Sequence, residues 1–275
     1  MTYPRKARVR WRGLIDLGPL YGDADVAFVL QAVAPAHTAR GRLGDAFRED
    51  REIREGMLVS DVLADAVMRT EEPLLRVSPL LYFSMLVARV RRDLTSRRFT
   101  VEESGRHAAV VFDAGAALAL LAKPHVFDYL VLLMVSFVRA RSITVGVADE
   151  RGRARMLRFD TLDLDSIVRA AALAAESERF AAYQRIADLC LFTVGIFPER
   201  IRGARGRSAG VVRAEWMENG ARFYGLASRH RTAQELQMEG VLAELSSNFN
   251  LAAKPLNVLS DRYLWRTAQP MPFLP

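Results

Sequence analysis

The sequence predicts an α+β fold that is predominantly α-helical, a helical bundle with two small β-hairpins. Two observations carry this prediction. Apolar residues recur at intervals of three and four over most of the chain, which is the period of an amphipathic helix, and two pairs of β-type segments interrupt that pattern in the middle. With 275 residues, of which 51% are hydrophobic, the chain is long enough to bury a sizeable core.

The segment from residue 23 to about residue 94 is predicted to be helical. Ser60 before Asp61 is a typical N-cap, because a serine side chain can accept a hydrogen bond from a free N–H of the first turn. Ser78 before Pro79 predicts a second helix start, since proline at the first helical position loses no hydrogen bond. Apolar residues follow both starts at helical spacing, so each helix should bury one face.

The middle of the chain predicts the two hairpins. Segments 98–103 and 108–113 flank a short polar connection that contains glycine, and segments 142–148 and 154–160 flank another. The stretch between the hairpins is apolar nearly all round and is interrupted by Pro124. It therefore predicts two successive buried helices.

Beyond the second hairpin the pattern returns to helix. We expect two helices over 163–197 and three more over 211–230, 233–249 and 255–265. In domain terms, we expect residues 1–13 to form a basic N-terminal strand or arm and residues 14–265 to form a single compact, mostly helical domain.

Residues 266–275 are predicted to form an extended Pro-rich tail, because three of the ten are prolines. In this tail Phe273 and Leu274 can dock into a groove on this chain or on another, and packing against its own body is the favoured alternative. An apolar tail and an amphipathic basic strand often need a neighbour, so a homodimer is also predicted.

Cysteine content and hydropathy predict a bacterial cytoplasmic protein that does not enter a membrane. The lone Cys190 cannot form an internal disulfide, and no apolar segment of a secretion signal follows the basic N-terminus. The strongest apolar stretch ends at Arg139, well short of the roughly 20 residues that a bilayer requires.

The net charge of +7 is weak evidence for a nucleic-acid partner by itself. Only three of the 39 basic residues are lysines, a skew that is typical of GC-rich genomes. The clustering of the charges is more informative than their total.

Two basic clusters are candidate anion or nucleic-acid binding sites. The first, Arg200, Arg202, Arg205 and Arg207, lies in a glycine-containing stretch, and the alternative is a solvated surface loop. The second, Lys6, Arg8, Arg10 and Arg12, alternates with apolar residues, and the alternative is an edge strand that uses charge against aggregation. Further arginines cluster near the end of a predicted helix at Arg89, Arg91, Arg92, Arg97 and Arg98.

Acidic residues and histidine supply the weaker catalytic candidates. Asp160, Asp163 and Asp165 have the oxygen ligands that Mg²⁺ prefers, but capping of a helix start is the favoured explanation. His125 and Asp128 are one helical turn apart, so Asp128 can orient His125 as the general base of a hydrolase. The commoner outcome for such residues is a buried hydrogen bond or an arginine partner for the aspartate.

No cofactor and no metal site are predicted, because the four histidines are dispersed and no dinucleotide or serine-hydrolase motif is present. We therefore expect a non-enzymatic binding or regulatory protein with Arg-rich surfaces that contact nucleic-acid phosphates or an acidic protein partner. The alternative is a metal-dependent phosphoesterase or another hydrolase.

Overall fold

The computed structural model describes residues 16–36, 40–69, 73–96, 100–104, 107–111, 113–138, 143–148, 154–159, 168, 176–198, 201 and 209–264. Most of this part of the chain is helical.

In the described part of the N-terminal half, a 3-10 turn, Gly18–Leu20, is followed by six helices. They are α1 (Asp23–Val33), α2 (Arg40–Glu49), α3 (Arg51–Leu58), α4 (Asp61–Met68), the single turn α5 (Pro73–Arg76) and α6 (Pro79–Thr95). Helix α6 begins where the sequence predicts, because the Ser78 hydroxyl accepts a hydrogen bond from the N–H of Leu81 at 3.1 Å. Asp25 of α1 accepts from both the N–H and the hydroxyl of Ser78, at 3.0 and 2.6 Å, so the start of α6 is fixed to α1.

The remaining helices are α7 (Ala114–Leu121), α8 (Pro124–Val138), α9 (Glu176–Ile196), α10 (Ala209–Ser228), α11 (Arg231–Glu235), α12 (Glu239–Ser247) and α13 (Phe249–Leu259), followed by a π-helical turn, Ser260–Leu264. Two boundaries differ from the prediction. The expected helix over 233–249 is interrupted, since Gln237 adopts a φ of 55° in the left-handed region and ends the first part. The last helix begins six residues earlier than predicted and keeps Pro255 in its interior.

Helix α8 lies at the centre of the bundle. Every side chain from Val126 to Met134 is buried, and the helix packs against α6, α9 and α12. The buried apolar side chains of the described residues form one contiguous cluster that extends from Leu17 to Leu264. A helix that is apolar all round is stable only inside such a core.

Helix α9 is completed at its C-terminal end by residues from the end of the chain. The side-chain amide of Asn257 donates to the carbonyls of Val194 and Gly195 at 2.9 and 2.8 Å. The hydroxyl of Ser260 donates to the carbonyl of Ile196 at 2.8 Å. The last carbonyls of a helix have no partner within the helix, so these bonds replace water at a buried terminus.

The fold is all-α, and the predicted α+β fold class was wrong. Where the structure describes side chains as well as backbone, 86% of the residues are helical and none lies in a β-strand. The backbone also pairs β1 (Thr100–Ser104) with β2 (His107–Val111) and β3 (Ile143–Ala148) with β4 (Ala154–Phe159), as two separate two-stranded ladders with no described side chains. A fold class is set by the layers that enclose the core, and the described core is made by helices and their connections.

Within the described ranges, no single helix has both the length and the apolar character that a membrane crossing requires. Helices α7 and α8 pass that test only as a pair, and they are bent by 89° at the break between them.

Candidate functional site

The structure places two of the thirteen residues that the sequence marks as site candidates. His125 and Asp128 both lie on α8. The others fall outside the described residues: Lys6, Arg8, Arg10, Arg12, Asp160, Asp163, Asp165, Arg200, Arg202, Arg205 and Arg207.

The two described candidates face different partners. The carboxylate of Asp128 is buried and forms an ion pair with Arg51 of α3. No hydrogen bond joins these two described residues, His125 and Asp128, and His125 is only partly buried, nearer to the charges of Glu244 and Lys123. Burial lowers the pKa of His125, with Glu244 opposing this shift.

Burial also raises the pKa of Asp128 to about 7, against the opposing effect of Arg51. A carboxyl group with this pKa changes its charge near neutral pH. Its contact with Arg51 is therefore strongest in alkaline solution, where the carboxylate is ionised.

Asp128 is one end of a chain of alternating charges that crosses three helices. Arg51 contacts Asp128 and also donates to Glu55 at 2.9 Å, and Glu55 accepts from Arg91 of α6 at 2.6 Å. The Arg91 guanidinium lies over the ring of Phe127, 5.2 Å from its centroid. Burial acts to raise the pKa of Glu55, but the bonds from Arg91 and Arg51 outweigh it and the pKa is lowered. These ion pairs hold α3, α6 and α8 together.

A second buried arginine stabilises the N-terminal helices. Arg54 is 2% exposed and donates to the carbonyls of Phe47 and Arg48, at 3.1 and 2.8 Å, and to Asp16 at 2.5 Å. Three of the five N–H groups of this guanidinium therefore have acceptors, which is the condition for burying such a group.

A fully buried polar network connects α8, α9 and α10 around Asp188. The hydroxyls of Tyr129 and Tyr224 both donate to Asp188 Oδ1, at 2.6 and 2.8 Å, and Gln184 donates to the Tyr129 hydroxyl at 3.2 Å. Burial raises the pKa of Asp188 to about 6, against the opposing effects of Tyr129, Arg185 and Tyr224.

Arg185 is the cation nearest to this network on the same helix. Its guanidinium lies 4.0 Å from the ring centroid of Phe137 and donates to the Ser136 hydroxyl at 3.0 Å. Asp188, which interrupts an apolar run, is the sequence signal for the network. Its tyrosine partners lie 59 and 36 residues away, and no local pattern marks them.

The arginines of α6 are bound within the fold. Arg89 and Arg92 both donate to Asp61 at 2.9 Å, and Arg91 is bound by Glu55 as described above. These three side chains therefore have acidic partners of their own, whereas Arg97 and Arg98 lie outside the described residues.

The charges of the chain are segregated. We define the helical body as residues 16–36, 40–69, 73–96, 113–138, 176–198 and 209–264. It contains 19 of the 39 basic residues and 22 of the 32 acidic residues, which is a formal charge of −3. The rest of the chain has the other 20 basic and 10 acidic residues, a formal charge of +10. The excess of positive charge therefore belongs entirely to the segments outside the helical body.

No group of three or more metal-ligating side chains occurs among the residues that the structure describes. Comparison with known proteins finds no matching family model, curated protein or solved structure.

Proposed function

We propose that this chain is a non-enzymatic binding or regulatory protein that contacts the phosphates of nucleic acids through its arginine-rich segments. The observation that carries the proposal is the segregation of charge between the helical body, at −3, and the remaining segments, at +10. Basic residues are about twice as frequent outside the helical body, with 20 in 95 residues against 19 in 180. Arginines that arise from codon usage alone would be spread evenly over both parts.

Guanidinium groups are suited to this role. An arginine can donate two parallel hydrogen bonds to one phosphate, and each phosphate neutralised releases bound counterions from the nucleic acid. Ten residues, 199–208, contain four arginines and one acidic residue, and residues 5–12 contain five basic residues and none that is acidic. Contacts of this kind read the backbone and not the bases, so we expect little sequence preference.

The test is a salt series of binding to generic double-stranded DNA and to RNA, made with the full chain. The first variant changes Arg200, Arg202, Arg205 and Arg207 to alanine. If all four contact phosphates of B-DNA, the slope of log K against log salt should become shallower by about 3.6, which is roughly 0.9 for each phosphate. The second variant, with Lys6, Arg8, Arg10 and Arg12 changed to alanine, should behave similarly.

The matched control removes the same four charges from the helical body. Arg42, Arg69, Arg76 and Arg231 are exposed arginines in or directly after helices, and their joint change to alanine should leave the salt slope within about one unit of that of the parent chain. An equal change of slope in control and test variants would contradict the proposal, as would no binding at low salt. The latter result would favour an acidic protein partner, and cleavage of the probe would favour the phosphoesterase alternative.

A further inference from the structure

A groove of about 370 Å³ runs between α3 and α6. It is lined by the buried Ala88, by Val59, Thr95 and the exposed Gly56, and by the charged side chains of Glu52, Glu55, Arg91 and Arg92. Two of these are fixed, since Arg91 is bound by Glu55 and lies over a phenylalanine ring, as described above. The groove is therefore a preformed, mainly apolar depression with room for a few side chains.

Arg92 fixes the other side of the groove. It donates to the carbonyl of Val59 at 3.2 Å and to Asp61 at 2.9 Å. These hydrogen bonds join α6 to the end of α3 and the start of α4, so they fix the width of the groove.

One lining residue, Gly56, leaves open space where another residue would have a side chain. Gly56 lies in the interior of α3, where glycine costs about 1 kcal/mol relative to alanine. A Cβ atom built at Gly56 would have no described heavy atom within 4 Å. The neighbouring Ile53 on the same helix leaves 39% of its surface exposed. A glycine next to exposed apolar surface is suited to the close approach of another backbone.

The last described residues contact α6, one of the two helices that line the groove. Tyr263 and Arg262 of the π-helical turn both bind the carboxylate of Asp93 on α6, at 2.8 and 2.5 Å, and Asp93 follows Arg92 directly in the chain. Arg92, the neighbour of Asp93, lines the groove, so the two contacts lie on adjoining faces of a helix whose diameter with side chains is about 10–12 Å. Eight residues of an extended chain span about 25 Å, so the length of 265–272 is sufficient to reach the groove.

We infer that the groove between α3 and α6 is the docking site of the chain's own tail and that Phe273 and Leu274 occupy it. A proline-rich segment is already restricted to extended conformations, so it loses less entropy than an ordinary peptide when it binds. An extended backbone can approach α3 most closely at Gly56. The inference does not depend on phosphate binding.

Disulfide trapping tests this docking. Cysteines are placed at Gly56 and at Pro272, which leaves Phe273 and Leu274 intact. The new side chain at Gly56 enters open space and favours the helix, so the variant should fold. The native Cys190 is fully buried, and burial raises the pKa of its thiol, so it should not take part.

The matched control places the first cysteine at Gly240, an exposed glycine of α12 whose added Cβ would also meet nothing within 4 Å. The pair G56C and P272C should close within one chain at least about tenfold faster than G240C and P272C, because docking raises the local concentration of the tail. Changing Phe273 and Leu274 to alanine should remove that difference. Equal rates for the two pairs, or disulfides formed mainly between two chains, would overturn the inference.

Discussion

The Asp188 network gives a prediction whose size depends on pH. Tyr224→Phe removes one hydroxyl that donates to the fully buried carboxylate at 2.8 Å and leaves the ring in place. A hydrogen bond to a charged group contributes about 1.5–3 kcal/mol and one to a neutral group about 0.5–1.5 kcal/mol. We expect the variant to lose about 2 kcal/mol of unfolding free energy at pH 8, where Asp188 is ionised, and about 1 kcal/mol at pH 4.5, where it is protonated.

The pH profile of the parent chain has a defined sign. The folded pKa of Asp188, about 6, is above its ordinary value of 3.8, so the native state binds this proton more tightly than the unfolded state does. The contribution of Asp188 to stability therefore increases as the pH falls through 6, and it is fully present, at roughly 3 kcal/mol, only below its ordinary pKa of 3.8. Because the Tyr224 bond holds the Asp188 pKa down, Tyr224→Phe should raise that pKa by about 0.7 unit.

Urea unfolding followed by tryptophan fluorescence measures these differences, and the buried Trp216 lies on the same helix as Tyr224. The control is Tyr82→Phe, since Tyr82 is equally buried and burial alone raises its pKa, to about 12. Its loss of stability should not change between pH 4.5 and pH 8. The reasoning is refuted if Tyr224→Phe costs the same at both pH values, or if Asp188→Asn leaves its cost at pH 8 unchanged.

Three further predictions concern packing, a buried charge and the domain boundary. Gly220→Ala should cost at least about 2 kcal/mol, because the new Cβ would lie 2.2 Å from a ring carbon of Phe249; unfolding of the variant measures it, and a neutral result would contradict the close packing. Arg54→Met should lower the free energy of unfolding by about 3–5 kcal/mol, since two carbonyls and a carboxylate lose their donor. Thermal unfolding measures this loss, and an unchanged or higher melting temperature would contradict the prediction. Limited proteolysis should leave 14–265 as one associated unit, whereas two separately stable halves cut near Arg205 would disprove a single domain.

The sequence could predict features that depend on neighbouring residues. The start of α6 is an example, because Ser78 and Pro79 act within the first turn that they begin. The fold class was predicted wrongly because alternation identifies a local backbone preference and does not indicate whether a pair of strands joins a core layer. The predicted helix over 233–249 failed at Gln237, a residue type that gives no warning of a left-handed backbone.

The candidate site was less accessible to sequence reasoning. Asp128 was expected to have either His125 or an arginine as its partner, but only the tertiary structure could identify Arg51, 77 residues away. Asp188 was conspicuous in an apolar run, yet the two tyrosine hydroxyls come from other helices that the chain alone does not place. Charge totals could be read from the sequence at once, but their segregation needed the bounds of the helical body.

The end of α9 has a consequence for the order of events during synthesis. Its last carbonyls are bound by Asn257 and Ser260, which are translated about sixty residues after the helix itself. Translation proceeds at roughly 5–20 residues per second, so these partners are synthesised several seconds after the helix. Until then the terminal carbonyls of α9 are hydrated. Docking of α13 therefore expels that water late. A ribosome that stalls before residue 257 leaves the last carbonyls of α9 without their partners from α13 and the π-helical turn.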